Sequence, residues 1–209
     1  MSIELSQPAL QAHFGAVCTA PILLAHCDRA DPDIVLSDAE SLAGEGMASE
    51  KRRAEYLLGR CALKAVLAGL GRDTDTAAVR WPSPFCSLSH SHGHAVAVGL
   101  SDGQGIGIDL QLQKTPPFAL AERILTGATA AYWDGLPDAD KAAALQRFWT
   151  VNEAVYKACP APQPAYFRHY RMHAPAAMDG EVSIDGTDYR FRVHTAALAD
   201  GFVSLALRL

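Results

Sequence analysis

Two stretches of helical periodicity, Ser49–Leu70 and Asp138–Lys157, are each bracketed by short strand-type runs, and this order limits the chain to few architectures. In the first stretch Tyr56, Leu57, Leu63, Leu67 and Leu70 supply an apolar stripe. Arg53 and Arg60, seven apart, share one face of that helix. Before it, Ser37 or Asp38 caps a shorter helix that Gly44 and Gly46 interrupt. The second stretch follows Pro137 and stops at Cys159-Pro160.

The strand material is just as regular. Ala20–His26 is a short apolar run, and Trp81-Pro82-Ser83-Pro84 is an extended, proline-stiffened connection. Ser87-Leu88-Ser89-His90-Ser91 leads into Ala95–Leu100, and Ser101-Asp102-Gly103 turns the chain into Gly105–Leu110. There Ile106, Ile108 and Leu110 alternate with Gly107 and Asp109, until Pro116-Pro117. A helix is expected over Phe118–Leu125. Glu181–Ile184 and Tyr189–His194 flank Asp185-Gly186-Thr187 as a hairpin, and Phe202–Leu209 is a last strand. Strands plus a long helix thus occur twice without a literal repeat. The prediction is an α+β fold, not an alternating α/β one, with halves at 1–102 and 103–209.

A length of 209 residues suits one compact unit of two packed halves, and 49% hydrophobic residues give it ample core. Eighteen Lys+Arg against 23 Asp+Glu, net −5, argue against nonspecific nucleic-acid coating or binding to an anionic membrane. The five cysteines are scattered without a C-x-x-C, which excludes a zinc ribbon and points to a reducing compartment. No basic leader precedes an apolar segment and no apolar run nears the ~18 residues of a membrane span, so the expected location is cytoplasmic.

Three stretches carry candidate chemistry. G-I-G-I-D at 105–109 is not a dinucleotide fingerprint, because a strand continues where a helix and a third glycine are required. Asp109 is either a strand-end turn former or a metal-binding carboxylate on a rigid strand. In Phe148–Ala158 the residues Trp149, Glu153 and Lys157 fall at i, i+4 and i+8 on one helical face. Thr150-x-x-Glu153 also has the form of a capping box, and Glu153 with Lys157 that of a helical ion pair. Finally, Ser89-His90-Ser91-His92-Gly93-His94 suits a metal, phosphate oxygens or a solvated hairpin tip.

Taken in order, four blocks resemble the 4′-phosphopantetheinyl transferase superfamily, in particular its longer monomeric type: R-R-A-E-Y-L-L-G-R at 52–60, S-L-S-H-S at 87–91, G-I-G-I-D at 105–109 and F-W-T-x-x-E-A-x-x-K-A at 148–158. The resemblance implies two similar α+β halves related by a pseudo-two-fold axis, with coenzyme A in the cleft between them. It implies that a serine of an apo acyl or peptidyl carrier protein attacks the β-phosphate of coenzyme A, and that 3′,5′-ADP leaves. Mg²⁺ is implied on the diphosphate, held by Asp109 and Glu153, with Gln111 as a further oxygen ligand. By the same resemblance Glu153 helps take the serine proton, Lys157 reaches the diphosphate, and Ser89, His90, Arg53 and Arg60 bind coenzyme A. A monomer suffices, because the cleft is complete in one chain, and no nucleic acid or membrane is expected.

Three departures from the family pattern stand out. Gln111 occupies the place of a second strand acid, Asn152 that of a lysine before Glu153, and the segment before S-L-S-H-S lacks G-K-P. They leave three readings: an active transferase with a relaxed metal site, a degenerate member that binds coenzyme A or carrier protein without transfer, or an unrelated metal enzyme built on the histidine triplet. Arg123 with Ile124 and Leu125 is a candidate docking patch for an acidic carrier, or else a solvated helix residue.

Overall fold

The computed structural model describes residues 2–18, 21–102, 104–113, 115–164 and 166–209. Ala20 and Gly103, expected in the first strand run and in the turn after residue 100, lie outside the described residues. The elements are α1 (Gln7–Val17), β1 (Ile22–Cys27), α2 (Asp38–Glu45), α3 (Glu50–Gly69), β2 (Cys86–Ser91), β3 (His94–Leu100) and β4 (Ile106–Leu112), then α4 (Ala121–Ile124), α5 (Ala128–Asp134), α6 (Asp138–Ala158), β5 (Tyr170–Met172), β6 (Asp179–Ile184), β7 (Arg190–Ala197) and β8 (Gly201–Arg208). The fold is α+β.

Two antiparallel sheets form, one ordered β1-β3-β2 and the other β4-β8-β7-β6-β5. A strand, a long helix and a hairpin, with the last strand inserted between the other two, describe β1-α3-β2-β3 and equally β4-α6-β7-β8. The halves therefore repeat in topology although not in sequence, and β5 and β6 extend only the second sheet. The strands on either side of residues 101–105 were expected to follow one another through a turn. They do so in sequence, but β3 and β4 belong to different sheets.

Local chemistry explains the elements around the site. Ser49 caps α3 by accepting the Arg52 N–H. Ser37 and Glu40 close a reciprocal capping box at the start of α2. The β2–β3 hairpin turns on His92 and Gly93 alone, both with positive φ, as a two-residue turn between right-twisted strands requires. In α3 the buried stripe is Leu58, Ala62, Leu63, Val66 and Leu67, so Leu63 and Leu67 face the core as expected while Tyr56, Leu57 and Leu70 sit at its margin.

Each long helix covers one face of its own sheet: α3 packs on Ala25, Cys86, Ala95 and Ala97, and α6 on Val182, Ile184, Phe191 and Val193. The opposite faces of the two sheets share a third core, in which Leu24, Val98, Ile108, Leu110, Val203 and Leu205 meet Leu10 and Phe14 of α1. Gln11 of α1 also covers the open edge of β1, donating to the Ile22 carbonyl and accepting from the Leu24 N–H. Among the described residues no helix is long and apolar enough to cross a membrane.

Candidate active site

The glycines of G-I-G-I-D let a helix lie on a strand. A Cβ at Gly107 would stand 1.9 Å from the Ala154 carbonyl oxygen, so only hydrogen allows α6 to settle at this depth on β4. Ile106, Ile108 and Leu110 point into the shared core, while Gly107, Asp109 and Gln111 take the other face. Gln146 of α6 donates to the Gln111 carbonyl at 3.2 Å and fixes the far end of the contact. Asp109 is thereby brought opposite the helical face that carries Trp149, Glu153 and Lys157.

Asp109 is 6% exposed, and its two oxygens differ. Oδ1 accepts from Ser89 Oγ at 2.9 Å and from Lys157 Nζ at 2.7 Å. Oδ2 is buried and has no hydrogen-bond partner. A bare carboxylate oxygen away from water is costly unless a donor or cation meets it. Lys157 donates also to the Ile108 carbonyl at 3.0 Å, so its ammonium pairs with the strand and not with Glu153. Burial raises the pKa of Glu153, the Asp109 carboxylate raises it further, and the Lys157 ammonium opposes both. Nor is Thr150 a cap: it lies mid-helix and donates to the Gln146 carbonyl.

These groups line a cleft of about 560 Å³ between the halves, a volume suited to a small-molecule ligand. Asp109, Gln111, Trp149, Glu153, Tyr156 and Lys157 come from the C-terminal half, and Arg60, Trp81, Ser89 and His90 from the N-terminal half. Arg60 is tethered: Nη1 donates to Thr76 Oγ1 at 3.1 Å, and the guanidinium lies 4.8 Å from the Tyr56 ring centroid. Thr76 in turn donates to the fully buried Glu40, which also holds Lys64 at 2.7 Å. Arg60 Nε remains without a partner. Beyond Arg60 and His90 a side groove of about 460 Å³ runs along α3 past Arg52, Tyr56 and Gly59.

A family model described as the 4′-phosphopantetheinyl transferase superfamily matches residues 105–205, and one described as the 4′-phosphopantetheinyl transferase N-terminal domain matches residues 43–99. The chain belongs to the 4′-phosphopantetheinyl transferase superfamily. No curated protein matches it. As a phosphopantetheinyl transferase it is an enzyme of group transfer, and the two matched stretches supply the two walls of the cleft.

Asp109, Gln111, Glu153, Lys157, Arg60, Ser89 and His90 all line this cleft. Arg53 does not join them. It is exposed on α3, and Arg52, one residue earlier and not singled out in the sequence, lines the side groove instead. Ser89 lies on the cleft floor, but its one proton goes to Asp109 and its oxygen accepts the Leu110 N–H at 3.1 Å. It therefore has no donor left for a phosphate.

Asn152 is 1% exposed and does not line the cleft. The histidine triplet is split. His90 faces the cleft, His92 forms the turn, and His94 shares a hydrogen bond with His26 at 3.1 Å. Among the described residues no three His, Cys, Asp or Glu side chains are grouped to hold a metal ion. Ile124 and Leu125 are core residues, which removes the apolar part of the Arg123 docking patch.

Proposed function

We propose that the protein moves the 4′-phosphopantetheine group from coenzyme A to a serine of an apo acyl or peptidyl carrier protein, with Mg²⁺, releasing 3′,5′-ADP. The observation that carries this reading is Asp109 Oδ2: a buried, partnerless carboxylate oxygen in a cleft that also holds Glu153. A carboxylate from a strand, a second from a helix and the amide of Gln111 form an all-oxygen donor set, which fits a hard divalent cation. When bound, that cation supplies charge neutralisation for the diphosphate.

The chain's own side chains do the rest. Arg60 and His90 bind phosphate oxygens on the N-terminal wall, and Arg52 extends that basic surface into the side groove. The tether from Glu40 through Thr76 presets the Arg60 guanidinium, so little conformational freedom is lost on binding. Lys157 holds Asp109 in place and carries positive charge to the cleft surface. Glu153, whose proton affinity is raised by burial and by Asp109, accepts the proton of the carrier serine as its Oγ bonds to the β-phosphorus. The bond from that phosphorus to the bridging oxygen breaks, and 3′,5′-ADP departs with the electron pair.

Incubation with candidate apo carrier proteins, coenzyme A and Mg²⁺, followed by intact-mass measurement, tests this. The expected result is a gain of one phosphopantetheine on the carrier, abolished by Asp109→Ala. A stable complex with a carrier and no mass gain would instead make the chain a binding module.

A further inference from the structure

Three serines alternate along β2, and each faces β4. Ser87, Ser89 and Ser91 accept backbone N–H groups from Ile108 at 3.0 Å, Leu110 at 3.1 Å and Leu112 at 3.0 Å. Both strands advance by two residues per rung and in the same direction, so the hydroxyls stand where carbonyls would in a parallel ladder. The sheets of the two halves are thus stitched by side chains. Their spacing is set by the reach of a serine, and the N–H groups of β4 are satisfied without merging the sheets.

The middle rung differs from the outer two. Among the described residues Ser87 and Ser91 make no hydrogen bond to the carboxylates of the cleft, whereas Ser89 also donates to Asp109 Oδ1. Lys157 donates to the same oxygen from the opposite half. Two donors on Oδ1, from two directions, fix the plane of the carboxyl group and leave Oδ2 as its one unpaired oxygen.

We propose that Ser89 is a positioning residue that holds Asp109 so that Oδ2 is presented to the divalent cation. The inference rests on the metal reading of the cleft given above. It separates Ser89 from the groups that bind coenzyme A, and it gives the alternation of the S-L-S-H-S strand a purpose that its phosphate-binding reading does not.

The test is the affinity of the ligand-free protein for Mn²⁺, followed by electron paramagnetic resonance, alongside KM for Mg²⁺ and for coenzyme A. Ser89→Ala should weaken Mn²⁺ binding about tenfold, the usual cost of removing a hydrogen bond behind a metal ligand. Ser89→Cys, which keeps the volume but donates weakly, should behave in the same way and serves if the alanine variant does not fold. Ser89→Thr should restore the affinity. Ser91→Ala, which removes an outer rung, should lower the thermal midpoint and leave Mn²⁺ affinity alone. KM for coenzyme A should stay constant throughout.

Unchanged Mn²⁺ affinity in both Ser89→Ala and Ser89→Cys overturns the proposal, as does an equal loss in Ser91→Ala. If the unaltered protein and Asp109→Ala bind Mn²⁺ equally poorly, the metal reading itself fails. If they differ and the Ser89 variants match the unaltered protein, the role of Ser89 alone fails.

Discussion

Gly107 lies against the Ala154 carbonyl so closely that a methyl group there would stand 1.9 Å from the oxygen. That contact sets how deep α6 sits on β4, and with it the spacing of Asp109 from Glu153. Gly107→Ala should therefore push the helix outward, at a cost of about 3 kcal/mol. Urea unfolding measures the cost, and transfer activity should fall far more than the lost stability explains. Full activity with unaltered stability would mean that the helix does not rest on this strand.

Asp109→Asn keeps the shape of the side chain and removes its charge. The Lys157 ammonium then loses its carboxylate partner, and the cleft loses an anionic oxygen that a cation would meet. Transfer should fall about a thousandfold, the scale of losing one electrostatic contributor in a preorganised site. The circular dichroism spectrum should be unchanged. A variant with near-normal turnover would remove Asp109 from the chemistry.

Gln111→Glu places a second carboxylate on the cleft face of β4, the third in the cleft with Asp109 and Glu153. An ionised oxygen binds Mg²⁺ more strongly than an amide oxygen does, so the Mg²⁺ concentration for half-maximal activity should drop. No change in that titration would show that residue 111 stays outside the coordination sphere.

Glu40 predicts the acid stability of the N-terminal half. Burial alone pushes its carboxyl up, but hydrogen bonds from Lys64, Thr76 and the backbone of Ser37 and Thr76 overcome this and hold it at about 2, against 4.5 ordinarily. A carboxyl depressed in this way stabilises the fold above its unfolded value. The contribution, about 3 kcal/mol, is lost as protons bind. Thermal midpoints should thus fall as the pH drops from about 4.5 towards about 2. Glu40→Gln should flatten that dependence and start from a lower midpoint. An identical acid profile in the variant would contradict it.

The residues that share one element were the legible part of the site. Trp149, Glu153 and Lys157 line the cleft because i, i+4 and i+8 must share a helical face, and Asp109 and Gln111 do so because a strand repeats every two residues. What depends on where another element lies was hidden. Arg53 and Arg60 have nearly the same angular position on α3. The side groove nevertheless takes Arg60 and Arg52 but not Arg53, a choice that angular position on the helix alone does not make.

Asn152 neighbours Glu153 in sequence and lies about 100° away around the helix, enough to bury it. The serine ladder had no signature of its own, since alternating hydroxyls on a strand acquire meaning only when a second backbone runs alongside. The topological repeat was legible only coarsely, as strand material plus a long helix occurring twice, because the two halves keep the same order of elements with different side chains.

A crystal grown with coenzyme A and Mn²⁺, with anomalous data collected at the manganese edge, tests the central claim most directly. The account predicts one strong peak in the cleft, bound by Asp109 Oδ2 and a Glu153 oxygen and touching the diphosphate. A manganese peak held by other residues, or a coenzyme A bound outside the cleft between the halves, would contradict it.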